Sequence, residues 1–281
     1  MSAPVVSQAV GLSNSLSTLL IAARQTIYLL AFRRTLWWSL PGCAALFALT
    51  YVAGLRAPDA VSGGSVFCVF AWWGLSTVVV PWVAAFLGVQ SVHGELEDRT
   101  SQYLFLRPVF RAPLLLGKWL AVALMATVIT IVAVLALFAG IAQHPVRWPD
   151  GVEWDLVVAF GWSMSIGAVA YSAIAVLFGA VFRRPLVWSA FFIVGLQIVV
   201  ANLPVSAGLR QLTVTDPLRR VVLDWIEPDG RLARIMWPSE SVISVDDIGS
   251  PVLNLVIITA VCLALACWKY SSAEYESRSR D

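Results

Sequence analysis

Charged side chains are scarce in this sequence of 281 residues: they make up 13% of it, whereas hydrophobic residues make up 59%. Soluble domains average about 25% charged residues, so most of this chain is expected to be surrounded by lipid. The net charge of +2, with no basic stripe in the sequence, excludes a nucleic-acid partner. The N-terminal stretch lacks the positive segment and short apolar run of a signal peptide, so none is expected.

Residues suited to metal binding or catalysis are also sparse. The cysteines lie in apolar stretches and match no zinc or haem spacing; they are Cys43, Cys68, Cys262 and Cys267. The histidines, His93 and His144, are predicted at opposite membrane faces, so the serines of Gly161–Gly167 ("GWSMSIG") lack the oriented base that a nucleophile needs. Small residues at this spacing favour helix packing instead. We therefore predict no metal site, no catalytic residue and no enzyme activity in this chain.

Long apolar runs dominate what is present. Spanning the hydrocarbon of a bilayer takes about 20 mostly apolar residues in a helix. Six runs qualify: Leu36–Leu55, Ser65–Gln90, Leu114–Ile141, Leu156–Phe182, Leu186–Leu203 and Pro251–Tyr270. Their interiors contain no Asp, Glu, Lys, Arg or His, which disfavours an ion-coupled transporter because such proteins need polar groups near the midplane. The sequence predicts an all-α polytopic membrane protein with six transmembrane helices in residues 36–270.

The distribution of lysine and arginine predicts the orientation. With the N-terminus inside, 12 of the 19 basic residues lie on the cytoplasmic side and seven on the other. Five of those seven fall in one long loop, where they weigh little in the positive-inside rule. We therefore expect both termini in the cytoplasm, including a tail at residues 271–281.

Residues 1–35 precede the first predicted span. Apolar side chains recur there at helical spacing, with arginines elsewhere, and they are Leu16, Leu19, Leu20, Ile27 and Leu30. This pattern predicts an amphipathic elbow helix that lies in the cytoplasmic interface of the membrane. An extension of the first span is the alternative.

The loop at 204–250, between spans five and six, is too long for a simple turn. Asp216 is the predicted N-cap of a helix and Pro217 its first residue. One face of this helix is apolar, with Leu218, Val221, Val222, Trp225 and Ile226. A turn at "EPDG" and a second short helix at "RLARIMW" complete an amphipathic hairpin, Asp216–Trp237, predicted on the outer surface with its apolar face on the spans or in lipid headgroups.

The connector between spans two and three, residues 91–118, contrasts with these apolar runs. The stretch "SVHGELEDRTSQYLFLRPVFRAPLLLGKW" holds seven charged residues. Its Gly-Lys pair lacks the upstream glycine and the following Ser or Thr of a phosphate-binding loop. This chain is therefore not expected to bind ATP through that pair.

This connector resembles that of the permease subunits of type-2 ATP-binding-cassette (ABC) exporters. Two acidic residues, a threonine, a Leu-rich turn, Arg-Pro, Arg and Gly-Lys follow in the family's order. The matching residues are Glu95, Glu97, Thr100, Leu104, Arg107, Pro108, Arg111, Gly117 and Lys118. The order of spans, elbow helix and outer loop is similar over nearly the whole chain. Arg99 departs from the small residue that the family often has before the threonine.

The resemblance implies that the connector is a coupling helix docked on a separate cytoplasmic ABC ATPase. Two ATPase copies, carrying ATP and magnesium, would serve a dimer, expected to be a homodimer, of this permease in the plasma membrane, a bacterial inner membrane. The chain itself would bind no cofactor. A substrate path at the dimer interface would carry a hydrophobic or amphipathic cargo.

Two sets of residues are candidates for that path. Trp72, Trp73 and Trp82 on span two are candidate lining residues, although packing against neighbours or lipid explains them equally well. Leu218, Val222, Trp225 and Trp237 are candidates for an outer gate. The alternative function is a non-transporting membrane scaffold or receptor subunit that recruits a cytosolic partner through the same connector.

Overall fold

The structure is a computed structural model that describes residues 4–32, 34–56, 61–97, 111–144, 148, 151–200, 213–225 and 250–272. Every regular element in those residues is helical, which confirms the predicted all-α class. The α-helices are α1 (Pro4–Phe32), α2 (Arg34–Arg56), α3 (Gly63–Val69), α4 (Val80–Glu97), α5 (Arg111–Ala142), α6 (Trp154–Val181), α7 (Pro185–Phe191), α8 (Thr215–Trp225) and α9 (Pro251–Ser272). Two π-helical segments complete the set: π1 (Phe70–Val79) joins α3 to α4, and π2 (Phe192–Val200) continues α7.

Each of the six predicted spans is helical wherever the structure describes it, apart from Phe182 at the end of the fourth. The agreement follows from the length of the apolar runs, because a helix satisfies its own backbone hydrogen bonds without water. The bounds differ by only a few residues: the third run was predicted at Leu114–Ile141, and α5 covers Arg111–Ala142. Residues 201–203 of the fifth predicted span lie outside the described part of the chain.

Length and composition alone identify a slightly different set of spans. Five described stretches are long and apolar enough to cross a membrane: Ser15–Phe32, Gly63–Val92, Arg111–Ala142, Trp154–Val181 and Pro251–Ser272. Pro41–Arg56 and Pro185–Gln197 are apolar but shorter. This set includes part of α1, whose composition thus suits a span as well as an interfacial helix. The interfacial placement of α1 stays a prediction.

The predicted apolar face of α1 is divided between two sides of the helix. Leu30 is buried in the bundle, whereas Leu16 and Leu20 point away from the protein. The packed side runs along α5, where Gly117 lies directly against the α1 backbone at Leu19. Because any side chain at Gly117 would meet that backbone, the glycine of the predicted Gly-Lys pair sets how closely α1 approaches.

Helix α6 is the centre of the bundle. Two thirds of its apolar stretch, 67%, is buried, against 11% for α9, which therefore lies at the periphery. α4, α5, α8 and α9 all pack against α6. The contact with α4 is especially close at Gly88, where a Cβ atom would lie 2.5 Å from the Cβ atom of Ala175. Such small residues let two helices pack with their backbones close together.

The π-helical segments interrupt two of the spans. Pro81 follows π1 closely, and a proline inside a helix lacks an N–H and clashes with the carbonyl four residues earlier. The wider turn of π1 accommodates this proline. The hydroxyl of Thr77 donates back to the carbonyls of Trp72, at 3.2 Å, and Trp73. π-helical turns are rare in proteins, and those that occur are often found at functional sites.

Candidate functional site

Helix α8 does not lie on the surface of the bundle but inserts into it. Leu218 and Val222 are fully buried, as the predicted apolar face required. Leu218 reaches Gly167, near the midpoint of α6, where a Cβ atom would lie 2.7 Å from a methyl group of Leu218. The hydroxyl of Ser163 on α6 also donates to the carbonyl of Leu218, at 3.0 Å. The apolar face of α8 therefore packs on the spans, which is one of the two placements predicted for it, and α8 reaches the middle of α6.

The first turn of α8 also differs from the prediction. The helix begins at Thr215, and Asp216 lies inside it. The hydroxyl of Thr213 accepts the backbone N–H of Asp216 at 3.3 Å, so Thr213 has the capping role that was predicted for Asp216. At the other end Trp225 is 57% exposed, so this residue of the predicted apolar face does not pack on the bundle. Ile226, Trp237 and the predicted second helix lie outside the described residues.

Gln197 on π2 holds the start of α8. Its side-chain oxygen Oε1 accepts the backbone N–H groups of Val214, at 3.0 Å, and Thr215, at 3.1 Å. The hydroxyls of Thr215 and Tyr171 lie 2.9 and 3.2 Å from the same oxygen. All these side chains are buried. Since backbone N–H groups require an acceptor, the amide of Gln197 can point in only one direction, with Nε2 left to donate elsewhere.

Charged side chains enter the bundle on the buried face of α8. Asp216 and Arg219 are each 1% exposed. Asp216 pairs with Arg220 at 3.1 Å, and the guanidinium carbon of Arg219 lies 5.0 Å from the centre of the Trp72 ring on π1. Burying ionised groups is costly, and charged residues inside a membrane bundle commonly mark a binding site or a transport path. The six predicted spans lack charge in their interiors, but α8 supplies it.

Buried polar atoms on the segments around α8 make no hydrogen bond within the described part of the chain. On π1 they are Nε1 of Trp72 and Oγ of Ser76, on π2 Nε2 of Gln197, and on α8 itself Oδ1 of Asp216. Their side chains are fully buried. Buried polar groups in proteins are nearly always hydrogen-bonded, so these atoms make the contact of π1, π2 and α8 the candidate functional region of the bundle. We call Trp72, Ser76, Gln197 and Arg219 the polar cluster.

The three tryptophans predicted to line a path have different surroundings. Trp72 is fully buried and shares one apolar core cluster with Leu218 and Val222 from the predicted outer gate. Trp73 is 37% exposed, and Trp82 is half-buried and stands beside Phe86, at 6.0 Å between ring centres. The structure thus brings Trp72 together with the predicted gate and leaves the other two elsewhere on the same helix.

At the opposite end of the bundle, α4 ends and α5 begins; we call this the connector end. Glu95 and Glu97 fall in the last turns of α4, and their side chains lie outside the described part of the structure, as do Thr100, Leu104, Arg107 and Pro108 entirely. Arg111 opens α5 and donates to the carbonyl of Ser271 at the end of α9, at 3.3 Å. Lys118 is only 2% exposed, so the protein itself encloses its side chain.

The serines of Gly161–Gly167 serve packing. Ser163 binds α8 as described, and Ser165 donates to the carbonyl of Gly161 at 2.6 Å, within its own helix. Nε2 of His144 lies 3.0 Å from the carbonyl oxygen of Tyr51. Each group is engaged in a separate structural contact, which agrees with the packing interpretation of this motif.

The sequence analysis did not identify Ser76, Tyr171, Gln197 or Arg219. One signal was available for Arg219: it lies three residues before Val222 and seven before Ile226, and thus at the edge of the predicted apolar face of α8. A charged residue in that position means either that the packed side of the helix was assigned wrongly or that the charge is buried. Gln197 carries no comparable signal, because its role depends on where α8 inserts.

The fold and this site describe a multi-pass α-helical membrane protein with a buried polar site and a charged connector at one end, which is typical of a transport subunit. A family model for the ABC-2 family transporter protein matches residues 6–275, and the chain belongs to that family. It is thus a membrane permease subunit of an ABC transporter, of a kind that carries no ATPase domain of its own. No curated protein matches this sequence.

Proposed function

We propose that this permease is half of the membrane domain of an ATP-driven exporter, energised by a separate cytoplasmic ABC ATPase docked on residues 91–118. Family membership is the observation that carries the proposal, because ABC-2 permeases associate with an ABC ATPase. The acidic Glu95 and Glu97 and the basic Arg107 and Arg111 of the connector offer charges of both signs to that subunit. ATP and magnesium would be bound by the ATPase.

The packing at the connector end supports such docking. Leu115 on α5, Val176 on α6 and Ala266 and Tyr270 on α9 form one buried cluster there, which Ala22 of α1 joins. The hydrogen bond from Arg111 to Ser271 ties the start of α5 to the same place. A force on the connector therefore acts on helices that are packed together, and a packed bundle moves as discrete bodies between two states.

The assembly would contain two copies of the permease and two ATPases, with both termini in the cytoplasm of a bacterial cell. The exposed apolar side of α9 supports contact with lipid or with the second permease copy. Its exposed side chains include Leu253, Val256, Ile257, Val261 and Trp268. The cargo would be hydrophobic or amphipathic, since the described spans are apolar apart from the site under α8.

One experiment tests the docking. The double variant Glu95→Lys with Glu97→Lys reverses both carboxylates, and we expect it to lose the ATPase on extraction in mild detergent while the permease stays folded. Glu153→Lys is the matched control, because Glu153 is exposed at the other end of the bundle. Recovery of the ATPase and unchanged transport in the double variant would refute the proposed docking. If a partner is recovered but nucleotide binding to that partner leaves the conformation of the permease unchanged, the scaffold function is favoured.

A further inference from the structure

The turn that joins α6 to α7, residues 182–184, lies at the connector end of the bundle. Gly179, near the end of α6, packs on α4, where a Cβ atom added to it would lie 3.2 Å from the Cβ atom of Val92. Val92 and Ala180 also belong to the buried cluster that includes Tyr270 of α9. The turn follows directly in the chain, so it lies just beyond the packed end of the bundle.

Two adjacent arginines occupy this turn. Arg183 and Arg184 are both exposed, and neither guanidinium group makes an ion pair or hydrogen bond within the described part of the chain. The carboxylates whose side chains the structure describes lie elsewhere, on the first residues of α6 and on α8: Glu153, Asp155, Asp216 and Asp224. Those of Glu95 and Glu97, at the connector end, lie outside the described part. The turn therefore presents two positive charges to its surroundings.

Aromatic and apolar side chains continue from the arginines along α7. Trp188 is 48% exposed and stacks on Phe182, with 4.9 Å between the ring centres. Val187, Phe191 and Val194 are also exposed, and their spacing places them on one side of the helix. We call the two arginines, Trp188 and these three apolar residues the α7 surface. It is cationic at the turn and apolar along the helix.

An anionic phospholipid matches this order of groups. Its phosphate accepts charge-assisted hydrogen bonds from guanidinium groups, and basic residues beside a membrane span are attracted to anionic lipids. Tryptophan is enriched at the level of the headgroups, and acyl chains would cover the apolar side of α7. A soluble partner could pair with the arginines, but it could not cover an apolar side that runs from the turn into the membrane.

A second permease copy fits the α7 surface less well than a lipid does. In a twofold pair both copies use the same surface, and both span the membrane in the same direction. If α7 lay on the axis, the arginines of the two copies would therefore meet at one level, and like charges repel one another. A lipid phosphate neutralises these charges instead.

We propose that the α7 surface binds an anionic phospholipid of the leaflet at the connector end, with its phosphate at Arg183 and Arg184 and its acyl chains along Val187, Phe191 and Val194. The inference depends on the chain being a membrane protein and not on the docking of an ATPase. It therefore goes beyond the proposed function and can be tested separately.

The test uses the full-length permease in an uncharged maltoside detergent, titrated by native mass spectrometry. The probes are dioleoyl phosphatidylglycerol and dioleoyl phosphatidylcholine, which have the same acyl chains but differ in the net charge of the headgroup. An arginine beside an anionic lipid strengthens binding about fivefold, so the first phosphatidylglycerol is expected to bind roughly 25-fold more tightly than the first phosphatidylcholine. Equal affinities for the two lipids would overturn the proposal.

Variants locate the binding. The double variant Arg183→Gln with Arg184→Gln is expected to bind both lipids with equal affinity, whereas Arg183→Lys with Arg184→Lys keeps the charges and should retain most of the preference. Arg56→Gln is the matched control, because Arg56 is exposed and follows Gly54, which packs on His144 at the opposite end of the bundle. Lys269→Gln removes another exposed charge at the connector end, and an equal loss of preference in that variant would overturn the assignment to the α7 surface.

Two further readouts distinguish a lipid from a protein partner. The same spectra report the mass of a permease dimer, and loss of that dimer in the glutamine double variant with an unchanged lipid preference would show an interface between copies. Loss of the ATPase on extraction of that variant, again with an unchanged lipid preference, would show a docking surface for the ATPase. Either result overturns the inference. Recovery of the ATPase with the Glu95→Lys and Glu97→Lys variant would count against the proposed docking and leave the lipid result intact.

Discussion

Replacing Gln197 with methionine tests how α8 is anchored. Methionine has a similar length but no strong acceptor, so the N–H groups of Val214 and Thr215 would lose the oxygen that they share. A buried donor left without a partner costs about 1–3 kcal/mol, and two of them give a loss of about 2–6 kcal/mol. Tyr171→Phe is the matched control, because it removes one hydroxyl at the same oxygen and leaves both backbone bonds, for a loss of about 1 kcal/mol.

The measurement is backbone hydrogen–deuterium exchange of residues 213–225, together with thermal unfolding of the detergent-solubilised permease. Faster exchange confined to α8 is expected for Gln197→Met, because local opening lets water reach the two N–H groups at less cost than global unfolding. Exchange in Tyr171→Phe should stay near that of the unchanged protein. Equal effects of the two variants would refute the anchoring role of Gln197.

Two further predictions concern packing. Gly88→Ala is expected to destabilise the permease by about 1–3 kcal/mol, since its Cβ atom would lie 2.5 Å from that of Ala175; Gly161→Ala meets nothing within 4 Å and should be neutral or stabilising. Leu218→Ala is expected to cost about 2–5 kcal/mol, and the exposed Trp225 should tolerate alanine within about 0.5 kcal/mol. Thermal unfolding measures the stability of all four variants. If Gly161→Ala lost as much stability as Gly88→Ala, or Trp225→Ala as much as Leu218→Ala, the packing described would be contradicted.

The spans were predictable from the sequence because their physical cause is local. An uninterrupted apolar run such as Leu114–Ile141 has one stable conformation in lipid, and α5 adopts it. The apolar face of α8 was predictable for the same reason: the spacing of Leu218 and Val222 suffices to place them on one side of a helix. The spans and these two side chains were found where the pattern put them, whereas Trp225 on the same predicted face is exposed.

The site under α8 could not be predicted in this way, because it depends on contacts between distant segments. Nothing in the neighbourhood of Gln197 shows that it accepts N–H groups of residues 17 and 18 positions later. The insertion of α8 rests on Gly167 of α6, which leaves room for Leu218. The π segments were missed as well, although Pro81 gave a local reason for a disturbance in span two.

The path of span two connects the two ends of the molecule. α3, π1 and α4 follow without a break from Gly63 to Glu97, so one helix carries Trp72 near one end and the connector at the other. A continuous helix transmits a displacement along its length, and π1 is the segment where its regular hydrogen bonding changes. The contact between Trp72 and Arg219 therefore places α8 at the end of this helix that lies farthest from the connector.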